Sequence, residues 1–188
     1  MDGREKLTPW KTLSRRTVLD HRPFLAVEMR TVELPSGETI DDWPWLILPD
    51  YAIVVAVTED GQFLSFRQTK YAVEGVTLAP VGGYLEPDED PLSAAKRELL
   101  EETGYAATDW TDLGHYRVDG NRGAGTAYLF LARDASPICE PDADDLEQQE
   151  LLRLSRHEIE AALLDGAFKG LPWTAAVALA LQHLQGQG

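Results

Sequence analysis

The sequence is short of cysteine, of positive charge and of long apolar runs, and each shortage closes off a class of function. One cysteine, Cys139, in 188 residues excludes an intrachain disulfide and any multi-cysteine metal site. Lys and Arg together number 17 against 32 Asp plus Glu, a formal net charge of −15. Such a field repels nucleic acid and anionic membranes, so neither is expected as a partner. The longest apolar stretches, YAIVVAV at 51–57 and TAAVALAL at 174–181, are too short to span a bilayer. The opening MDGREKLTPWKTLSRR lacks the apolar core of a secretory signal, and a cytoplasmic location is the expectation. A small anionic substrate is repelled by the same field, unless metal ions or local cations reverse its sign at one place.

What is present builds one sizeable core, since 44% of the residues are hydrophobic. Three β-branched and aromatic runs at 15–20, 24–34 and 38–48 read as strands, with Pro35-Ser36-Gly37 turning between the last two. Residues 51–68 form two further runs around Asp60-Gly61, a hairpin signal. A helix is expected over 90–103: Asp90 is a suitable N-cap, Pro91 fits the first helical position, and Gly104 can end it in the left-handed region. Leu92, Ala95 and Leu99 give that helix an apolar stripe. Strands are expected near 110–118 and 126–133, joined by a glycine-rich turn at 119–125. An acidic loop at 139–150 leads into LLRLS, and two helices close the chain at 156–165 and 171–185. Strands around a central helix with later helices indicate an α+β or layered α/β/α domain.

The stretch GGYLEPDEDPLSAAKRELLEETGY, 82–105, holds five glutamates (86, 89, 98, 101 and 102) and two cations. On a helix Glu98, Glu101 and Glu102 share a face, where like charges cost roughly a few tenths of a kcal/mol per pair. A solvated face is one account of them. The other is a hard divalent cation, whose preferred ligands are carboxylate oxygens. The glycine-bearing APVGGYLE, read as a turn, brings backbone close to any such ion or phosphate, and Arg97 can hold carboxylates by bidentate pairing.

Gly83, Glu89, Arg97-Glu98, Leu99, Glu101-Glu102 and Gly104 match the Nudix hydrolase signature in identity and spacing, with Tyr105 where a smaller aliphatic residue is usual. Seven fixed identities coincide by chance on the order of once in a hundred million positions. Beyond the signature, RQTKYAVEG at 67–75 and the amino-terminal strands resemble the ADP-ribose pyrophosphatase-like branch. The resemblance implies the Nudix fold, an α/β/α sandwich with a mixed sheet over 49–188, and an antiparallel β extension over 1–48 that serves dimerisation and substrate contacts. It implies hydrolysis of the pyrophosphate bond in ADP-ribose or a related nucleoside diphosphate sugar, with Mg²⁺ or Mn²⁺, two or more ions per site, and a homodimer. By the same resemblance Glu98, Glu101, Glu102 and the Gly82 carbonyl hold metal, and Arg97 and Glu89 organise the loop and helix. Glu147 on the late acidic loop is the expected base or further metal ligand, with Asp144, Asp145 and Glu150 as competitors for the role. Arg67 and Lys70 are expected at the pyrophosphate, Gly83 at the substrate, Phe24 at the adenine with Trp43 and Trp45 as further candidates, and Arg122 at a terminal phosphate or sugar. Many ADP-ribose-cleaving members carry a proline where Gly120 and Asn121 stand here. Other nucleotide sugars, NADH and diadenosine polyphosphates therefore stay open as substrates, and a non-catalytic nucleotide-binding regulator is the alternative from a different class.

Overall fold

A computed structural model describes residues 7–142 and 148–186. They fall into two compact units, one running to Pro49 and taking in Arg117–Gly125, the other comprising Asp50–Tyr116 and the chain from Thr126 onward.

The first unit is an antiparallel meander of β1 (Lys11–His21), β2 (Leu25–Glu33) and β3 (Thr39–Ile47). Ser36 and Gly37 turn β2 into β3, and the Gly37 amide, at φ 84°, donates to the Leu34 carbonyl. Apolar positions on β2 point inward, so Ala26 and Val32 are buried, whereas β1 is exposed along its whole length. Arg30 lies 4.0 Å over the Trp45 ring and is tied at 2.7 Å to Glu28, so its charge is neutralised while its flat face covers the indole. The predicted turn at 119–125 is shorter than expected. Only Asp119–Arg122 turn, with the Asp119 carboxylate accepting from the amides of Asn121 and Arg122, and Gly123 already belongs to the next strand.

The second unit begins with β4 (Tyr51–Thr58) and β5 (Phe63–Thr69), the hairpin expected at Asp60-Gly61. Thr58 Oγ1 clamps its turn, donating to Asp60 and accepting from the Gln62 amide. Then follow β6 (Val76–Ala79), β7 (Val81–Tyr84), α1 (Pro91–Thr103), β8 (Tyr105–Ala106), β9 (Asp109–Asp119), β10 (Gly123–Pro137), β11 (Gln149–Leu154), α2 (Arg156–Leu164) and α3 (Leu171–Gln185). The sheet is mixed: β10 runs parallel to β4, while β4 is antiparallel to β5 and β7, and β5 is antiparallel to β6 and β11.

Strand β4 is apolar at consecutive positions because both of its faces are covered. Ile53, Val55 and Val57 meet α2 and α3 through Ile159, Val177 and Leu181. Ala52, Val54 and Ala56 meet α1 through Ala94, Ala95 and Leu99. The result is the layered α/β/α arrangement with a mixed sheet that the signature implied. The stripe on α1 is as expected, with Ala95 and Leu99 fully buried and Leu92 packed beside them. One expectation is corrected. The segment read as a glycine-bearing turn is strand β7 at 81–84, pairing Gly82 with Ile53 and Gly83 with Ala52. Among the described residues no helix is long and apolar enough to cross a membrane.

Candidate active site

Helix α1 starts where the Asp90 side chain accepts from the Ser93 amide at 3.0 Å and stops at Gly104, φ 72°, whose amide donates to Leu100. Fixing both ends sets the rotation that aims Arg97, Glu98, Glu101 and Glu102. Arg97 is the hub. Its Nε and Nη2 reach the two oxygens of Glu89 at 2.9 Å each, and its Nη1 reaches Glu98 at 2.7 Å and Glu101 at 3.0 Å. Nη2 also donates to the Tyr84 carbonyl at 3.2 Å, which ties the helix to the end of β7.

The carboxylates feel this hub unequally. Glu89 is held below its ordinary range by hydrogen bonds from Arg97, helped by the Glu86 amide. Glu98 is pushed the other way, first by burial, with Arg97 opposing the shift and Glu101 and Glu89 adding to it. Arg97 itself is raised, chiefly by Glu89. Glu101 is half exposed and makes the looser contact.

Strand β7 meets this face with two residues that have no side chain. A Cβ on Gly83 would overlap the Glu98 carboxylate, and a Cβ on Gly82 would overlap the Ala52 carbonyl. The Gly82 amide donates to Glu102 at 3.2 Å. Glycine is required here for close approach: it lets one helix carboxylate lie on the strand and a second bond to it. Beside them opens a cavity of about 610 Å³, lined among others by Gly82, Gly83, Glu102, Lys70, Gln68 and Trp173.

Among the described residues, no three carboxylate, imidazole or thiolate groups converge as a ready cage for a metal ion. Arg97 supplies the positive charge instead. The donor chemistry nevertheless fits a hard divalent cation, because the groups at β7 and α1 are all oxygen ligands. Glu98 occupies the space a Cβ on Gly83 would fill, and its burial leaves negative charge that a cation would relieve.

The other expected residues are placed as follows. Lys70 lines the cavity. Arg67 pairs across strands with Glu150 at 3.5 Å and sits one position from Phe66 and Gln68, both of which line the cavity. Strand alternation therefore turns it to the opposite face of β5. Phe24 and Arg122 belong to the other compact unit, where Phe24 is largely exposed beside His21 and Arg122 pairs with Asp119 at 3.6 Å. Glu147 lies outside the described residues. Sequence reasoning missed Gln68, Gln149 and Trp173 in the lining. Gln68 sits between the two cations that were singled out, and neither it nor Trp173 carries a local signal.

Comparison with known proteins follows the same residues. A family model described as NUDIX domain matches 48–176. A Bacillus subtilis (strain 168) protein named ADP-ribose pyrophosphatase is 27% identical over 179 residues, covering 93% of this chain and 95% of that one. A Streptomyces rubellomurinus (strain ATCC 31215) protein named CMP-5'-(N-acetyl-N-hydroxy-3-aminopropyl)phosphonate hydrolase is 29% identical over 157 residues, 84% and 75% of the two chains. A solved structure of an ADP compounds hydrolase superposes with a TM-score of 0.82 at 24% identity, over 98% of this chain and 99% of that one, a likeness of fold.

Proposed function

Because this chain belongs to the NUDIX domain family and is a hydrolase, we propose that it cleaves the pyrophosphate bond of ADP-ribose or a related nucleoside diphosphate sugar. The products are a nucleoside monophosphate and a sugar phosphate. The observation that carries this reading is Glu98 and Glu102 brought against the Gly82-Gly83 backbone at the wall of a substrate-sized cavity. In the reaction a water oxygen bonds to one phosphorus, the bridging P–O bond breaks, and the bridging oxygen leaves with the other phosphate. The water proton passes to a base. Mg²⁺ or Mn²⁺, when bound, neutralises the diphosphate and activates that water. Glu98, Glu102, Glu101 and the Gly82 carbonyl are the proposed ligands. Arg97 and Glu89 position them by fixing α1 to β7, and Lys70 is the cation proposed to meet the diphosphate. The name of the Bacillus relative supports ADP-ribose. That of the Streptomyces relative shows that the nucleoside and leaving group differ between proteins of this likeness.

The reading includes a homodimer joined through the amino-terminal strands. It is supported by β1, which among the described residues pairs with β2 alone and leaves Leu13, Val18 and Leu19 exposed. Sedimentation velocity tests it.

Hydrolysis of a panel of nucleoside diphosphate derivatives with Mg²⁺ tests the activity. The expected result is AMP plus ribose 5-phosphate from ADP-ribose, abolished by a chelator and restored by added metal. No turnover of any panel member overturns the reading. Glu102→Gln should lose orders of magnitude in kcat, since an amide is a poor ligand for a hard cation. Its oxygen can still accept from the Gly82 amide, so the melting temperature should hold. Near wild-type turnover would remove Glu102 from the ligand set.

A further inference from the structure

Gln68 lies on β5, its Cα opposite Thr77 on β6 and Gln149 on β11. The residue is 5% exposed and lines the cavity described above. Among the described residues no hydrogen bond joins its carboxamide to another group, and the amide is not sealed in the core but reaches the cavity. Its neighbour Thr77 is the contrast: that hydroxyl donates to the Ala167 carbonyl at 3.0 Å and accepts from the Lys169 amide at 3.1 Å. Polar side chains this enclosed are almost always paired, so an amide open only to the cavity is placed to meet what enters it.

The chemistry of the lining divides. Glu102, Lys70 and the glycines answer a charged diphosphate and its counter-ion. Gln68, together with the apolar Phe66, Val73 and Trp173, answers something neutral. A carboxamide offers two donors and an acceptor with two lone pairs. It is therefore suited to a hydroxyl, which both gives and takes, while a flat indole covers the apolar face of a sugar ring. A water bound at the amide in the absence of substrate is displaced without loss only by a group that reproduces its hydrogen bonds.

We propose that Gln68 is a specificity-determining residue of this cavity, hydrogen-bonding a hydroxyl of the sugar joined to the diphosphate. The inference rests on the hydrolase reading above. Residues that keep a buried partner for a substrate hydroxyl discriminate strongly against analogues lacking it.

The test compares kcat/KM for ADP-ribose with that for the n-butyl ester of ADP, which offers the same diphosphate and no sugar hydroxyl on that side. Gln68→Met, similar in length and apolar, should lower the ratio of the two by roughly ten- to a hundredfold. Its melting temperature should stay level or rise, because a buried amide has been removed. Gln68→Asn, which withdraws the amide by one methylene, should shift the ratio in the same direction if the methionine variant folds poorly. An unchanged ratio in both variants while the wild type cleaves ADP-ribose overturns the assignment and leaves the hydrolase reading intact. Equal losses on both substrates with a lowered melting temperature also overturn it, as a packing role. If the wild type cleaves neither compound, ADP-ribose is not its substrate, and the same ratio is read on the panel member it does cleave; with no member cleaved the hydrolase reading fails and this assignment falls with it.

Discussion

Arg97 spreads one positive charge over Glu89, Glu98 and Glu101, and of these Glu98 is the one that burial leaves dependent on it. Removing the guanidinium leaves a mostly buried carboxylate without its partner. Arg97→Met should therefore destabilise the fold by about 2–3 kcal/mol, below the range for fully buried pairs because Arg97 is itself partly exposed. Urea unfolding measures this; a loss under ~0.5 kcal/mol would show that solvent already screens the hub. Arg97→Lys should recover little, since an ammonium cannot make the bidentate contact to Glu89. The two glycines of β7 separate structure from chemistry. A methyl at Gly83 meets the end of a side chain and should displace Glu98, lowering kcat with a small effect on stability. A methyl at Gly82 meets the Ala52 backbone, so the main loss should be in the urea midpoint. Equal behaviour of the two alanine variants in both measurements would refute this division.

Among the elements, those that carry a local signal were legible and those that rest on pairing alone were not. Helix α1 was readable to within a residue because Asp90, Pro91 and Gly104 act on their own neighbours. The β4–β5 hairpin was readable from Asp60-Gly61, with Gly61 at φ 80°. Strand β7 was not, since Val81-Gly82-Gly83-Tyr84 has little strand propensity and owes its conformation to hydrogen bonds with β4. Helix α2 provides a pH prediction. Ser155 and Glu158 form a capping box, and hydrogen bonds from the Ser155 hydroxyl and amide hold the Glu158 carboxyl below its usual range. A depressed folded-state pKa gives stability that is present above the unfolded carboxylate pKa. That stability is lost as pH falls through the folded value. Ser155→Ala should lower stability at neutral pH and flatten its fall between roughly pH 3 and 5. An NMR titration of Glu158 should show its pKa rising toward the ordinary value; an unmoved titration would refute the coupling.

On the scale of the whole molecule, a net charge of −15 works against the proposed dimer as it works against an anionic substrate. Two such chains repel, so association through β1 should strengthen as salt screens the repulsion. Sedimentation velocity at low and high salt measures it, and a species that stays monomeric throughout would overturn the dimer. By itself the sequence determined the carboxylate helix, its caps, the apolar runs of the sheet and the family, because each depends on residues close together in the chain. Tertiary structure alone decided that Arg97 is shared with Glu89 and held to Tyr84, that Glu98 is buried over Gly83, and that Gln68 lines the cavity while Arg67 faces away. The physical reason is register: side chains alternate along a strand, so pairing between distant segments selects the face each residue presents. A slip of one position in β5 would exchange Arg67 and Gln68.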